Sequence, residues 1–342
     1  MRKNLLQNSG FPSSVHVAEW LKPVENASVD SWYVKAEVIA EGKQYGFTWH
    51  EAITGIPSAT DPQTFVKAII AESLFMDVEN DLFISNEITA PISDLNGVDK
   101  DRMRVFSQWG ELHGDEKTMR LDLIVGENEV HVDLEYNNEV LLNGVTGLIE
   151  FGSQSSYEYS FPNMRMNGWF KIQGREYKIK DAYAWFDRQV GLINQKIEPL
   201  MLQPGKSNWL WIGMPCLCGE KCAISLWDVY NPGQRNAFAT IVFEDGTERN
   251  VNCEIEYGGI WKSEKTGNFY PRNIMIRIPG EDVEITMDCM TSGTNQEFAR
   301  NPKKLSRCQC LYHATGHFKS YAIDRAANVE MVGDICGEDE RV

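Results

Sequence analysis

Short strand-like runs, cut at close intervals by turn residues, most limit what this chain can become. Trp32–Ala40 stops at Glu41-Gly42-Lys43, and Trp169–Ile172 stops at Gln173-Gly174-Arg175. Ala237–Phe243 ends at Glu244-Asp245-Gly246-Thr247, and Ile274–Ile278 at Pro279-Gly280. Gly, Asp and Asn supply the backbone conformations that tight turns need. Many short strands joined in this way predict an all-β protein of sandwiches or barrels. Helical periodicity is confined to Asp61–Phe75, with Asp61 as N-cap and Pro62 as the first helical residue.

With 342 residues, 42% of them hydrophobic, the chain can bury the cores of two ordinary domains. A boundary is expected in Glu198–Lys206, where Pro199, Pro204 and Gly205 interrupt two strand-rich halves, giving domains 1–198 and 199–342. The net charge of −16 opposes binding to nucleic acid or to an anionic membrane, and favours a largely neutral ligand. No run has the length and apolarity of a membrane-spanning helix, and Met1–Gly10 lacks the apolar stretch of a signal peptide. A cytoplasmic protein without membrane insertion is the expectation.

Of the 8 cysteines, Cys216, Cys218 and Cys222 cluster, and Cys308 and Cys310 follow much later. Thiolates at such spacing can hold zinc. However, Gly219-Glu220-Lys221 reads as a hairpin tip, and a C-x-C pair shares one strand face, so structural or redox-inert thiols and no metal are expected. The chain has no G-x-S-x-G elbow, Walker A loop or H-E-x-x-H pair, and no cofactor is expected.

Chemistry is best placed in Ala182–Gly191, a strand with a polar centre. Period two sends Trp185, Asp187 and Gln189 to one face, and Phe186, Arg188 and Val190 to the other. A carboxyl beside an indole in an apolar barrel would be desolvated and its pKa raised, as a general acid requires. The alternative is that Asp187 pairs with Arg188 or a backbone N–H and only fixes the strand. A second spot, Tyr45–Glu51, puts Phe47, Trp49 and Glu51 on one face and Thr48 and His50 on the other. His50 is either an acid–base group or a satisfied structural imidazole. Tyr157, Tyr159 and Phe161 alternate in a further strand that could line a pocket.

The order of these pieces resembles the family of carotenoid 1,2-hydratases, kievitone hydratase and fungal Diels–Alderases. Ser31-Trp32-Tyr33 matches its opening strand, and Leu142–Gly147 its glycine-flanked one. Tyr157–Ser160 followed by Gly168–Gly174 matches its tyrosine-rich strand and hairpin. Trp185–Gly191 is similar to its W-x-D-H/R-Q-W-G strand, with looser likeness in Tyr312–Gly316 and Gly333–Glu338. The match departs at Trp185-Phe186, where tyrosine then tryptophan is usual, at Arg188 for histidine and at Val190 for tryptophan; a glutamate near Thr315 is missing.

The resemblance implies two lipocalin-like β-domains with few short helices, and a ligand cavity between or within them. It also implies a natural-product enzyme with Asp187, Trp185, Arg188 and His50 as catalytic candidates. Gln189, Trp49, Glu51, Tyr157, Tyr159, Phe161, Phe186 and Trp32 are the substrate-binding candidates. Cyclisation of an apolar polyene, polyketide or terpenoid skeleton, by a Diels–Alder or a proton-initiated route, is the first expectation. Alkene hydration with Asp187 as acid is the alternative, and a carrier without catalysis is the third.

Overall fold

The computed structural model describes residues 17–58, 60–61, 65–136, 140–151, 154–191, 208–217, 219, 222–231, 233–292, 296–300 and 306–337. Its first half comprises β1 (Val29–Ala40), β2 (Lys43–Pro57), β3 (Phe65–Asp77), β4 (Leu82–Pro91), β5 (Gly97–Val98), β6 (Met103–Ser107), β7 (Gly110–Gly114), β8 (Thr118–Val125), β9 (Asn128–Glu135), β10 (Leu141–Leu142), β11 (Leu148–Phe151), β12 (Gln154–Ile172) and β13 (Arg175–Gly191). Its second comprises β14 (Asn208–Met214), β15 (Ala223–Asn231), β16 (Gln234–Val242), β17 (Glu248–Asn252), β18 (Glu254–Gly258), β19 (Trp261–Lys262), β20 (Phe269–Tyr270), β21 (Asn273–Ile278), β22 (Val283–Cys289), β23 (Glu297–Phe298), β24 (Arg307–Phe318) and β25 (Tyr321–Val332). A 3₁₀ turn at Pro279–Glu281 is the one helical element among the described residues. The all-β expectation holds.

The strands form two large curled antiparallel sheets. The first runs β4-β3-β2-β1-β13-β12-β9-β8-β7-β6-β5, with β10 and β11 also on β12. Ser73 Oγ and Asn86 Nδ2 both donate to the Ile124 carbonyl of β8, at 3.4 and 2.9 Å, so the β3–β4 edge curls onto β8. The second sheet runs β17-β16-β15-β14-β25-β24-β22-β21-β18. There the Cys253 N–H donates to the Ala237 carbonyl at 3.1 Å, and Arg235 to that of Ile255 at 2.9 Å, drawing β18 towards β16. These are two lipocalin-like barrels packed together. The expected boundary at Glu198–Lys206 lies outside the described residues.

Turn chemistry explains the hairpins. Glu41 and Gly42 have φ of 51° and 77°, and Gln173 and Gly174 of 50° and 80°. Two successive left-handed residues make the tight turn whose twist suits antiparallel strands. Gly168 does something else: its φ is 150°, and a Cβ there would run into the His131 carbonyl of β9. Gly168→Ala is therefore expected to lower the stability of the fold by roughly 1–3 kcal/mol, read as a reduced urea midpoint.

The helix expected over Asp61–Phe75 is not formed. Residues 62–64 lie outside the described set, and Phe65–Asp77 is β3, paired with β2 and β4. Ala68, Ile69, Ala71, Leu74, Phe75 and Met76 are all buried, because both faces of β3 are covered. A strand buried on both faces loses its alternation and reads like a buried helix.

Each sheet keeps its own apolar core on its inner face. Trp32, Phe47, Trp49, Phe161 and Phe186 belong to the first. Leu210, Ile241, Ile276, Tyr312 and Val329 belong to the second. A separate aromatic layer of Tyr33, Trp185, Trp211, Trp227 and Phe238 lies where the outer faces meet. Strand alternation thus gives β1, β2, β12 and β13 two destinations, barrel interior and inter-sheet seam.

No helix among the described residues is long and apolar enough to cross a membrane. Nor do the described His, Cys, Asp and Glu residues form a group that could hold a metal ion. Cys308 and Cys310 share one face of β24, as their spacing predicts, with sulfurs 3.5 Å apart. Cys222 departs from the expectation of inert thiols, because it is disulfide-bonded. Cys218, Glu220 and Lys221 lie outside the described residues.

Candidate active site

The candidate site is a polar row laid across five strands of the first sheet. Register places Ser160 of β12 opposite Asp187 of β13, Asp187 opposite Tyr33 of β1, Tyr33 opposite His50 of β2, and His50 opposite Glu72 of β3. All five side chains therefore face the seam. Neighbours in such a row lie close enough for their side chains to interact directly.

Asp187 is 6% exposed. Its Oδ1 accepts hydrogen bonds from Ser160 Oγ and from Trp185 Nε1, the latter at 2.6 Å. Both fall on one oxygen, so Oδ2 is left to carry a proton. Burial pushes the carboxyl up to about 7, against the two hydrogen bonds, which favour the anion. Glu330 of β25 pushes the same way, and Lys35 opposes it. Glu158, two residues from Ser160 on the same face, is held well above the carboxylate range by burial first and then by Asp187 and Glu330.

His50 anchors the other half of the row. Its Nδ1 lies 2.9 Å from Arg307 Nη1 and 3.1 Å from Glu72 Oε2. A guanidinium can only donate, so Nδ1 accepts and Nε2–H donates to Ser31 Oγ at 2.8 Å. The imidazole is neutral; burial, then Arg307, depresses its pKa to about 3. Glu72 is fully buried and ion-paired with Arg300 and Arg307, which reach it from the second sheet's side of the seam.

The second sheet closes over this row. Gln309 Nε2 of β24 donates to Tyr33 Oη and to Glu330 Oε2, both at 3.1 Å. Trp211 of β14 meets Tyr33 edge-on at 5.6 Å and Trp185 at 5.8 Å. Trp211 Nε1 donates to Ser225 Oγ at 3.1 Å, and Ser225 to Asn143 Oδ1 at 2.6 Å. Trp227 Nε1 donates to the same Asn143 oxygen at 3.0 Å. Leu142–Gly147 is thereby a docking turn, with Gly144 N–H also on Thr240 Oγ1 at 2.9 Å.

A family model described as AttH-like matches residues 12–304. The chain belongs to the AttH-like family. Its fold is similar to that of a putative AttH protein from Nitrosomonas europaea, with a TM-score of 0.74 at 17% identity, covering 95% of this chain and 98% of that one. It is likewise similar to kievitone hydratase from Nectria haematococca, with a TM-score of 0.73 at 16% identity over 95% and 94%. In sequence it is similar to dehydratase asqC of Emericella nidulans, 26% identical over 174 residues. That match takes in 47% of this chain and spans about half the length of the relative.

Within this AttH-like protein the nominated residues part into two sets. Asp187, Trp185, His50 and Gln189 face the seam, and Gln189 Nε2 donates to Ser156 Oγ at 2.9 Å. Arg188, Phe186, Trp32, Trp49, Glu51, Tyr157, Tyr159 and Phe161 alternate to the opposite face, towards the first barrel's core. Arg188 does not pair with Asp187. It is wholly buried, pairs with Asp30 and donates to the carbonyls of Trp20 at 2.5 Å, Ser31 at 2.9 Å and Lys22 at 3.0 Å. Tyr159 Oη likewise donates to the Val17 carbonyl at 2.9 Å, and Trp32 Nε1 to that of Leu21 at 2.9 Å. These three side chains pin residues 17–22 to the barrel.

Spacing alone does not single out Ser160, Glu158 and Tyr33, although all three sit in strands that carry candidate residues. Their signal was alternation itself, because Glu158 and Ser160 are the even positions between the chosen aromatics. Arg307, Gln309, Glu330 and Trp211 carried no local signal. Only the packing of the second sheet brings them to Asp187.

Buried acids also fix how stability responds to pH. Asp187, Glu51 and Glu248 are raised by burial to about 7, 8 and 8. Between the ordinary carboxylate range and these values the folded chain holds protons that the unfolded chain has released, so stability falls as pH rises through that window. His50 acts oppositely, because protonation favours the unfolded chain from its ordinary 6.5 down to about 3. Three carboxyls outweigh one imidazole above pH 5. Urea unfolding is expected to give lower stability at pH 8.5 than at pH 5.5, with a shallower dependence in Glu51→Gln.

Proposed function

We propose that this AttH-like protein is a natural-product enzyme in which Asp187 protonates a carbon–carbon double bond of an apolar substrate held in the seam, so that water is added or, in reverse, removed. The observation that carries the reading is the Asp187 carboxyl: buried, fixed through Oδ1 by Ser160 and Trp185, and raised by burial into the range where it donates at neutral pH. In the forward step the Oδ2 proton goes to one alkene carbon, and positive charge develops on the other. A water oxygen bonds there, and its proton returns to the Asp187 carboxylate. Trp185, Trp211 and Tyr33 present π-electrons to the developing cation. Two relatives bear the names hydratase and dehydratase, the same chemistry in opposite directions.

Proton-initiated cyclisation is the second reading, favoured by the same aromatic layer. There a second double bond of the substrate, not water, captures the cation. Incubation with a panel of polyene and polyprenyl compounds, followed by mass spectrometry, separates the readings. A gain or loss of one water supports the first, and an isomer of unchanged mass the second. Ligands that bind tightly and return unaltered leave only a carrier and overturn both.

A further inference from the structure

Three carboxyls of the seam, Asp187, Glu158 and Glu330, lie close enough to act on one another's charge. Two of them are tied down. Glu330 accepts from Gln309 Nε2 at 3.1 Å and Trp209 Nε1 at 3.4 Å, and pairs with Arg307 at 3.4 Å. Asp187 is held through Oδ1 by Ser160 and Trp185. Glu158 is 5% exposed, yet its carboxyl has no hydrogen bond or ion pair among the described residues. Other buried acids differ. Asp30 and Glu72 pair with arginines, Asp228 with Arg235 and two tyrosines, and Glu297 accepts from Ser263, Thr266 and Tyr270. A buried carboxyl without partners costs its desolvation and gives the fold no bond in return.

Register sets Glu158 of β12 opposite Gln189 and Ser160 opposite Asp187, so Glu158 is the diagonal neighbour of Asp187 on the seam face. Such neighbours lie about 7–8 Å apart along the backbone, within reach of a long side chain. Gln189 gives its Nε2–H to Ser156 Oγ at 2.9 Å and leaves Glu158 unpaired. Burial, then Asp187 and Glu330, keeps the Glu158 carboxyl neutral. A neutral carboxyl has an O–H to give and a carbonyl oxygen that accepts. Adding water to a double bond needs one proton delivered to carbon and another taken from the water. With Oδ1 engaged twice, Asp187 has a single oxygen for both transfers.

We infer that Glu158 is a second catalytic group of this site, which holds the reacting water and relays its proton back to Asp187. The inference rests on Asp187 being the acid, as proposed above. Once Asp187 has protonated one alkene carbon, the water oxygen bonds to the other. A water proton passes to the Glu158 carbonyl oxygen, and the Glu158 O–H proton passes to Asp187 Oδ2. One C–O bond forms, one water O–H bond breaks, and both carboxyls end protonated, as they began. Loss of water follows the same path backwards.

The test uses β-farnesene and nerolidol, two chains of equal carbon count that differ by one water, incubated in deuterium oxide and read by mass spectrometry. Glu158→Gln, checked for folding by circular dichroism, keeps the shape but cannot pass a proton through. It is expected to slow water addition and loss by roughly 10²-fold, the scale of a positioned proton-transfer group. Deuterium should still enter recovered β-farnesene, because Asp187 still protonates the double bond and takes a proton back. Glu158→Asp, which keeps the acid on a shorter stem, should recover part of the loss. Undiminished water transfer in Glu158→Gln, with Asp187→Asn inactive, overturns the relay and leaves the acid standing. Equal loss of deuterium exchange and water transfer in both Glu158 variants gives the residue a structural role and overturns the relay too. Undiminished turnover by Asp187→Asn overturns the reading on which the relay rests. A wild-type chain that moves no water in either probe overturns both.

Discussion

Asp187→Asn is expected to fold normally and to lose turnover by roughly 10²–10⁴-fold, the range supplied by a positioned general acid. Asparagine keeps the shape and can still accept the Ser160 and Trp185 hydrogen bonds through its carbonyl oxygen, so its defect is confined to the missing proton. A pH profile gives an independent check. Because burial raises the Asp187 carboxyl to about 7, wild-type activity should fall as pH rises above neutrality, when the acid loses its proton. Near-wild-type turnover by Asp187→Asn would remove proton transfer from the mechanism and leave only binding and shape.

The neighbouring substitution should behave in the opposite manner. Arg188→Met is expected to cost the fold roughly 3–5 kcal/mol, since it strands the buried Asp30 carboxylate and the carbonyls of Trp20, Lys22 and Ser31. Turnover per folded molecule should stay within a few-fold of wild type, because Arg188 points into the first barrel and not into the seam. Urea unfolding combined with activity at low denaturant measures both quantities. Adding Asp30→Asn should recover part of the loss by removing the stranded charge. A large loss of turnover with unchanged stability would instead restore Arg188 to the chemistry.

These two expectations mark what could be read from the chain. Glu41-Gly42 and Gln173-Gly174 announced their hairpins, because turns of this kind depend on two adjacent residues. Alternation correctly sent Asp187 and Arg188 to opposite faces. It does not say which face would carry the proposed chemistry, since a strand between a barrel core and an inter-sheet seam is buried on both sides. The aromatic candidates Trp32, Trp49 and Phe161 lie in the first barrel's core, on the face opposite the seam where the chemistry is proposed. β3 resembles a helix in sequence for the same reason, as its two covered faces erase the period that distinguishes strand from helix. The partners supplied by β24 and β25 are more than a hundred residues from Asp187 in the chain, and no spacing rule reaches them or Trp211 of β14.

The meeting of outer faces has a consequence for how such a protein can change. Each curled sheet surrounds its own apolar core, so Asp187 lies where the two sheets pack together. Contacts along the seam hold the two sheets together, among them Asn328 on Thr48 and the Glu37 Oε1 that accepts the Asn328 N–H at 2.7 Å. Altering them is expected to shift one sheet against the other. If the seam is the substrate site, as proposed, new molecular shapes could then be admitted while Asp187, its two supports and both interiors keep their sequence.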